Sequence, residues 1–196
     1  LEDLKQWLLQ SDDRPFAAVV IRHGYVVLEV VRDHSSIANT KDVKSCAKAI
    51  CATVLAIASE ESQHGKTPRR MTFDDPAFDF IPWAQPLSDP RKAQIKVKQL
   101  LNHTSGITPE GYWVANVQKW EYILGHGGDG KTASLYFDPG TALEYSTHGL
   151  YHAALVCENV TGQPYDQYCT EHLLQPLGIE HWWFQILDGD AQHGRH

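Results

Sequence analysis

The feature that most limits the fold is a lone pair of β-rich runs early in the chain. Phe16-Ala17-Ala18-Val19-Val20-Ile21-Arg22 and Tyr25-Val26-Val27-Leu28-Glu29-Val30-Val31 are separated only by His23-Gly24. Two turn-forming residues between two such runs predict an antiparallel hairpin. A two-stranded hairpin is marginal alone in water, yet the rest of the chain is patterned mainly for helices. Leu1 to Gln10 has apolar residues at positions 1, 4, 8 and 9, a helical spacing. Further helices are expected from Ser45 to about Ser62, over Ile95–Leu101, around Val114 to Leu124, from about His148 to Val160, and from Pro164 to about Leu174. Gly65 and Pro68, Asn102 to Gly106, and Thr161-Gly162 punctuate them, as helix stops do. An α/β domain with a sheet incomplete in this chain is the expectation. Its other strands would come from sequence after His196 or from another chain.

Composition narrows the function classes. The chain of 196 residues is 42% hydrophobic and 21% charged, the balance of a globular domain. A net charge of −7 without a Lys/Arg run argues against a general nucleic-acid binder. No apolar run reaches the length of a membrane span. The first residue is Leu, so a processed or trimmed N-terminus is expected, and a periplasmic or secreted location after signal removal is preferred to a cytoplasmic one. The cysteines Cys46, Cys51, Cys157 and Cys169 contain no C-x-x-C pair, which disfavours a zinc ribbon. They read as reduced structural thiols and leave the compartment open.

The stretch from Thr40 to Ala58 places Ser45 at the start of an Ala/Leu/Ile-rich helix, with Lys48 one turn on. Residues three apart on a helix project from one face. An amine within reach of a hydroxyl can take its proton if burial lowers the amine's affinity for protons. The plainer alternative is a helix-capping serine followed by a surface lysine. Ser-x-x-Lys is expected by chance roughly 0.5 times in such a chain, so the motif alone decides nothing.

Order along the chain adds weight. Ser45-Cys46-Ala47-Lys48 is followed by Leu100-Leu101-Asn102-His103-Thr104-Ser105-Gly106-Ile107, Phe137-Asp138-Pro139-Gly140, Tyr145-Ser146-Thr147, Val160-Thr161-Gly162 and Pro176-Leu177-Gly178-Ile179. This succession resembles the serine β-lactamase-related family, which includes class C β-lactamases, DD-peptidases and esterases of the same fold, over roughly residues 14 to 184. The resemblance implies a β-lactamase/transpeptidase-like fold, an antiparallel sheet with a helical region, in one truncated domain over 1–196. Within it, 1–62 would hold the N-terminal helix, hairpin and nucleophile helix, 63–184 a mostly helical region, and 185–196 a polar tail.

The resemblance further implies that Ser45 is the acylated nucleophile, Lys48 its amine partner and Tyr145 the phenol that shuttles the proton. Thr147 would lie on the substrate side, and His148, close to Tyr145 in sequence, is expected from that closeness to line the cleft. The implied activity is acyl transfer through a serine acyl-enzyme on a small ester, amide or peptide, with no cofactor. An unperturbed phenol, with a pKa near 10, is too weakly acidic to serve as base, and a nearby cation favours its ionised form. Thr147 stands where the family usually has asparagine. It lacks the amide's paired donor and acceptor, which tilts the expectation from a β-lactamase toward an esterase. The family's third element, a strand carrying Lys or His and ending in Gly, has no match before His196. That strand also supplies one oxyanion donor, the other being the Ser45 N–H. A catalytically silent relative serving as a binding or scaffold module is the alternative from another class.

Two competing motifs are weighed against context. Gly125-His126-Gly127-Gly128-Asp129-Gly130-Lys131-Thr132 fits the P-loop pattern, whose chance expectation is on the order of 0.01. A P-loop needs a strand before it and a long helix after it, whereas here Asp138-Pro139-Gly140 comes soon after Thr132. A glycine-rich surface loop is preferred. Among the 11 histidines, His148 and His152 are four apart, but residue 149 is Gly, so the H-E-x-x-H metal motif is absent. These two, like His193 and His196 in the tail, read as hydrogen-bonded or solvated rather than metal-binding. Trp113, Trp120, Trp182 and Trp183 are assigned to packing, with a substrate wall as the alternative.

Overall fold

The computed structural model describes residues 1–11, 13–32, 42–109 and 134–184. They belong to two compact units, residues 1–42 and 43–196. The glycine-rich segment 125–132, the segment 114–124, Trp113, Trp120, His193 and His196 lie outside the described residues.

The first unit contains helix α1 (Glu2–Gln10) and strands β1 (Phe16–Arg22) and β2 (Tyr25–Arg32). The strands pair antiparallel from Phe16 opposite Arg32 to Arg22 opposite Tyr25, with an irregularity between Val20 and Ile21. His23 and Gly24 have φ of 52° and 81°, the two successive left-handed residues that suit the twist of a tight hairpin. Glu2 and Asp3 lie in the first turn of α1, and its last turn has no basic residue. Arg32 supplies one from β2, donating to the carbonyls of Leu8 at 3.1 Å and Leu9 at 2.9 Å. A cation there both satisfies C-terminal carbonyls and opposes the helix dipole.

The second unit is helical: α2 (Ala47–Gln63), α3 (Val97–Leu101), α4 (Thr147–Thr161) and α5 (Tyr165–Cys169), with short 3-10 turns between α2 and α3. Helix α2 buries Cys51, Val54, Leu55, Ala58, Ser59 and Ser62, a three-four spacing that forms one stripe. This stripe packs against α4, and for that reason the boundary between units falls ahead of the Ser45 segment.

Helix α4 is buried nearly all round, from His148 to Leu150, from His152 to Cys157, and at Val160 and Thr161. It contacts α2, α3 and α5 and forms the centre of this unit. Close packing depends on its small residues: a Cβ on Gly149 would lie 3.1 Å from the Leu100 carbonyl oxygen. The Ser146 side chain caps the N-terminus by accepting from the Gly149 N–H, and Gly162, at φ 73°, ends the helix in a left-handed residue, a conformation that suits glycine.

Polar ties fix the connections. Ser59 Oγ donates to the Met71 carbonyl at 3.1 Å, and Ser62 Oγ accepts from the Met71 N–H at 3.0 Å. Asp89 accepts from the N–H groups of Arg91 and Leu135 at 2.9 and 2.8 Å, and pairs with the Arg91 guanidinium at 2.7 Å. Arg91 extends this tie to Asp138 at 2.8 Å. These bonds hold the Asp89 carboxyl well below the usual carboxylate range. The segment Leu135–Gly140 is thereby fastened next to Thr104 and Gly106, with Tyr136 N–H bonded to the Gly106 carbonyl at 2.9 Å and Gly140 N–H to the Thr104 carbonyl at 2.8 Å.

Among the described residues the sheet has only the two hairpin strands, as expected. No helix of the described residues is long and apolar enough to cross a membrane.

Candidate active site

Ser45 lies in a 3-10 turn, Lys44–Cys46, that runs directly into α2. Neither the turn nor the helix has a side-chain cap hydrogen bond, so Ser45 does not serve as an N-cap. The residue before it, Lys44, has φ 46°, a left-handed conformation that is uncommon outside glycine. Ser45 itself is exposed.

The Ser45 hydroxyl is the meeting point of two side chains. Lys48 Nζ, one turn along α2, is 3.4 Å from Oγ. Tyr145 Oη, one hundred residues on in sequence, is 2.7 Å from the same atom, the usual length of an O–H···O bond. Lys48 Nζ also stands 4.9 Å from the centre of the Tyr145 ring, within range of a cation–π attraction. The three groups predicted to react are therefore brought together, and all three belong to the second unit.

Tyr145 is 40% exposed and sits in the link immediately before α4. Its neighbours on both sides are pinned. Glu144 N–H bonds to the His103 carbonyl at 3.0 Å, and Ser146 N–H bonds to His103 Nδ1 at 3.2 Å. Ser146 Oγ donates to the Thr108 carbonyl at 2.6 Å while capping α4. The His103 ring lies against the Tyr145 ring with centroids 4.6 Å apart. The Asn102-His103-Thr104-Ser105-Gly106 segment, which sequence reasoning used only as a family marker, thus contacts the tyrosine directly. Its signal in sequence was a histidine between polar residues just after a short helix.

The residues expected to face substrate separate. Thr147, the first residue of α4, is half-buried. His148, expected to line the cleft, is 2% exposed and begins the buried face of α4. His152 is fully buried, with Nδ1 2.6 Å from the His148 carbonyl oxygen. Burial pushes its pKa down to about 3, so the ring is neutral. Among the described residues no group of three or more His, Cys, Asp or Glu is arranged to hold a metal ion. Trp182 packs against the core, whereas Trp183 is exposed. Cys46 is exposed beside Ser45, and Cys51, Cys157 and Cys169 are buried free thiols.

Known proteins of similar sequence and fold point to one family. The family described as Beta-lactamase matches residues 11–195. Protein flp of Staphylococcus aureus (strain MW2) is 26% identical over 181 residues, which cover 89% of this chain and 34% of that protein. Lovastatin esterase of Penicillium rubens is 33% identical over 102 residues, covering 48% of this chain and 25% of the esterase. The crystal structure of a candidate beta-lactamase from Bacteroides dorei DSM 17855 superposes with a TM-score of 0.74 at 21% identity, covering 98% of this chain and 56% of that one. The chain spans about a third of the length of the first of these relatives. It belongs to the beta-lactamase family and has the β-lactamase/transpeptidase-like fold, here as part of the domain.

Proposed function

We propose that this member of the beta-lactamase family carries the nucleophile half of a serine hydrolase that acts through an acyl-enzyme, and that its substrate is a small ester. The supporting observation is the convergence on Ser45 Oγ of Tyr145 Oη at 2.7 Å and Lys48 Nζ at 3.4 Å. Acyl transfer needs an oxygen nucleophile and a path for its proton; the Tyr145 distance lies within the reach that general acid–base transfer requires, and the longer Lys48 distance suits a charge placed nearby.

In the proposed reaction Ser45 Oγ attacks the acyl carbonyl and gives its proton to the Tyr145 oxygen. A positive charge beside that oxygen favours its deprotonated form, which is the part assigned to Lys48. The tetrahedral intermediate collapses to an ester on Ser45 as Tyr145 returns the proton to the departing alcohol. Water then attacks the ester, losing a proton to Tyr145, and Ser45 is released protonated with the free acid. Thr147 is assigned to the substrate side of the cleft; His148, being buried, is not.

The ester is preferred to an amide or β-lactam for two reasons. Thr147 replaces the asparagine expected in the second motif and cannot offer an amide's paired donor and acceptor. One of the relatives is named an esterase. The test is hydrolysis of short-chain p-nitrophenyl esters and of a chromogenic cephalosporin by the full-length protein that contains this segment. Ester turnover that disappears in Ser45→Ala is expected, with cephalosporin turnover at least tenfold slower. Cephalosporin turnover equal to or above that of the esters would overturn the substrate assignment. Ester turnover that survives Ser45→Ala would overturn the mechanism.

A further inference from the structure

We propose that the His103 side chain is a positioning residue for Tyr145, acting through the acceptor at Nδ1. The inference rests on Tyr145 being the proton-transfer group at Ser45. Tyr145 lies in the link before α4, next to Ser146 with its extended backbone, and is 40% exposed, so core packing alone does not fix its phenol. Proton transfer is sensitive to placement: a shift of about 1 Å can cost roughly a hundredfold in rate.

His103 meets this stretch at three points. Its carbonyl accepts the Glu144 N–H at 3.0 Å, its Nδ1 accepts the Ser146 N–H at 3.2 Å, and its ring lies 4.6 Å from the Tyr145 ring. The two hydrogen bonds hold the residues immediately before and after Tyr145 and so set the direction in which its side chain leaves the backbone. An Nδ1 that accepts a hydrogen bond carries no proton, so the neutral ring holds its proton on Nε2. His103 adopts φ 61°, a left-handed conformation uncommon outside glycine, although asparagine, aspartate and histidine adopt it more often than other residues. Such a conformation persists where the surroundings enforce it, and here it turns both the carbonyl and the ring of one residue toward the Tyr145 link.

The backbone carbonyl survives any substitution, so variants isolate the side chain. His103→Phe keeps an aromatic ring but loses the acceptor. His103→Asn loses the ring, but Oδ1 occupies the place of Nδ1 and asparagine tolerates the left-handed backbone. In full-length protein, with rates normalised to the acyl burst so that only folded, acylatable molecules count, His103→Phe is expected to lower kcat about 10- to 100-fold with KM changed less than threefold. His103→Asn should keep kcat within about threefold of the parent. His103→Leu, also lacking the acceptor, replaces His103→Phe if the latter does not fold.

A double-mutant cycle supplies the reading that a merely structural role would not give. With Tyr145→Phe in place, the second substitution at His103 should cost less than about twofold, because the group being positioned is gone. Full additivity of the two losses, or a His103→Asn variant as slow as His103→Phe, would overturn the inference. If Tyr145→Phe alone leaves kcat unchanged, it is the proposed mechanism that fails, and the inference falls with it.

Discussion

The hairpin unit and the helical unit spend their apolar residues differently. In the helical unit Val54, Leu55, Leu100, Val156 and Val160 are wholly buried, each contributing roughly 1.5–3 kcal/mol of burial. In the hairpin unit Val19 is 46% exposed, Ile21 65%, Val26 56% and Tyr25 75%, and of the strand residues only Val30 and Arg32 are buried. Both faces of β1 carry apolar side chains, the pattern of strands covered on both sides, but its outward face is uncovered among the described residues. The helical unit holds its own core, and Ser45, Lys48 and Tyr145 all stand on it. A reactive constellation needs rigid support, and the support lies in the unit whose core is already closed.

The most severe way to break this contrast is a cavity. Leu155→Ala, at a position 1% exposed on α4, should lower unfolding stability by about 2–5 kcal/mol, whereas Ile21→Thr on the hairpin should change it by less than about 0.5 kcal/mol. Urea denaturation of both variants checks the pair, and comparable losses would erase the distinction between the units.

Acid should act next, and within the helical unit. His152 is held neutral in the fold, with its pKa pushed down to about 3 from 6.5. The unfolded chain therefore binds the extra proton first, and stability is complete above about pH 6.5 and falls as pH drops toward 3, by up to about 1.4 kcal/mol per unit. His152→Leu should flatten unfolding free energy over that interval; an unchanged slope would show that the ring is not the source. Asp89 acts at lower pH. Its carboxyl is held down by Arg91 and by the Leu135 and Arg91 N–H groups, so its contribution persists above about pH 4 and is lost as pH falls below that. Asp89→Ala should cost roughly 2 kcal/mol by stranding those donors, read as a lowered urea midpoint at pH 7.

The smallest perturbation is chemical. Cys46 is exposed, whereas burial raises the pKa of Cys51 to about 12, that of Cys169 to about 11, and that of Cys157 well above its ordinary value. Thiolate is the reactive form, so iodoacetamide at pH 8 should alkylate Cys46 and spare the others until denaturant is added. Native labelling of Cys51 or Cys157 at the rate of Cys46 would mean that the helical core opens readily.

What was legible in sequence obeyed local rules. The hairpin emerged at its expected residues because β-branched runs around His23-Gly24 leave few alternatives. Helix α4 began one residue before and ended one residue after its expected limits because Ser146 and Gly162 mark its ends chemically. Helix α5 was less faithful: the pattern to Leu174 continues past Cys169 as a π-helical turn, Thr170–Leu174, which apolar spacing does not distinguish from an α-helix. That Ser45, Lys48 and Tyr145 come together in space was foreseeable only through the ordered motifs, since Ser-x-x-Lys alone is common. The links from His103 to Ser146 and from Asp89 to Leu135 were not legible. They join residues 43 and 46 positions apart, and no local periodicity encodes them. The burial of His148 was missed because proximity to Tyr145 in sequence says nothing of which side of a helix faces the core.

Everything proposed for this site turns on Ser45 being a nucleophile primed by Lys48 and Tyr145. Treatment of the folded full-length protein with an alkyl fluorophosphonate, followed by peptide mass mapping, tests it directly. The expected result is a single adduct on Ser45, absent in Ser45→Ala and formed about 10²–10⁴ times more slowly in Tyr145→Phe. An adduct on another residue, or none on protein shown to be folded, would contradict it.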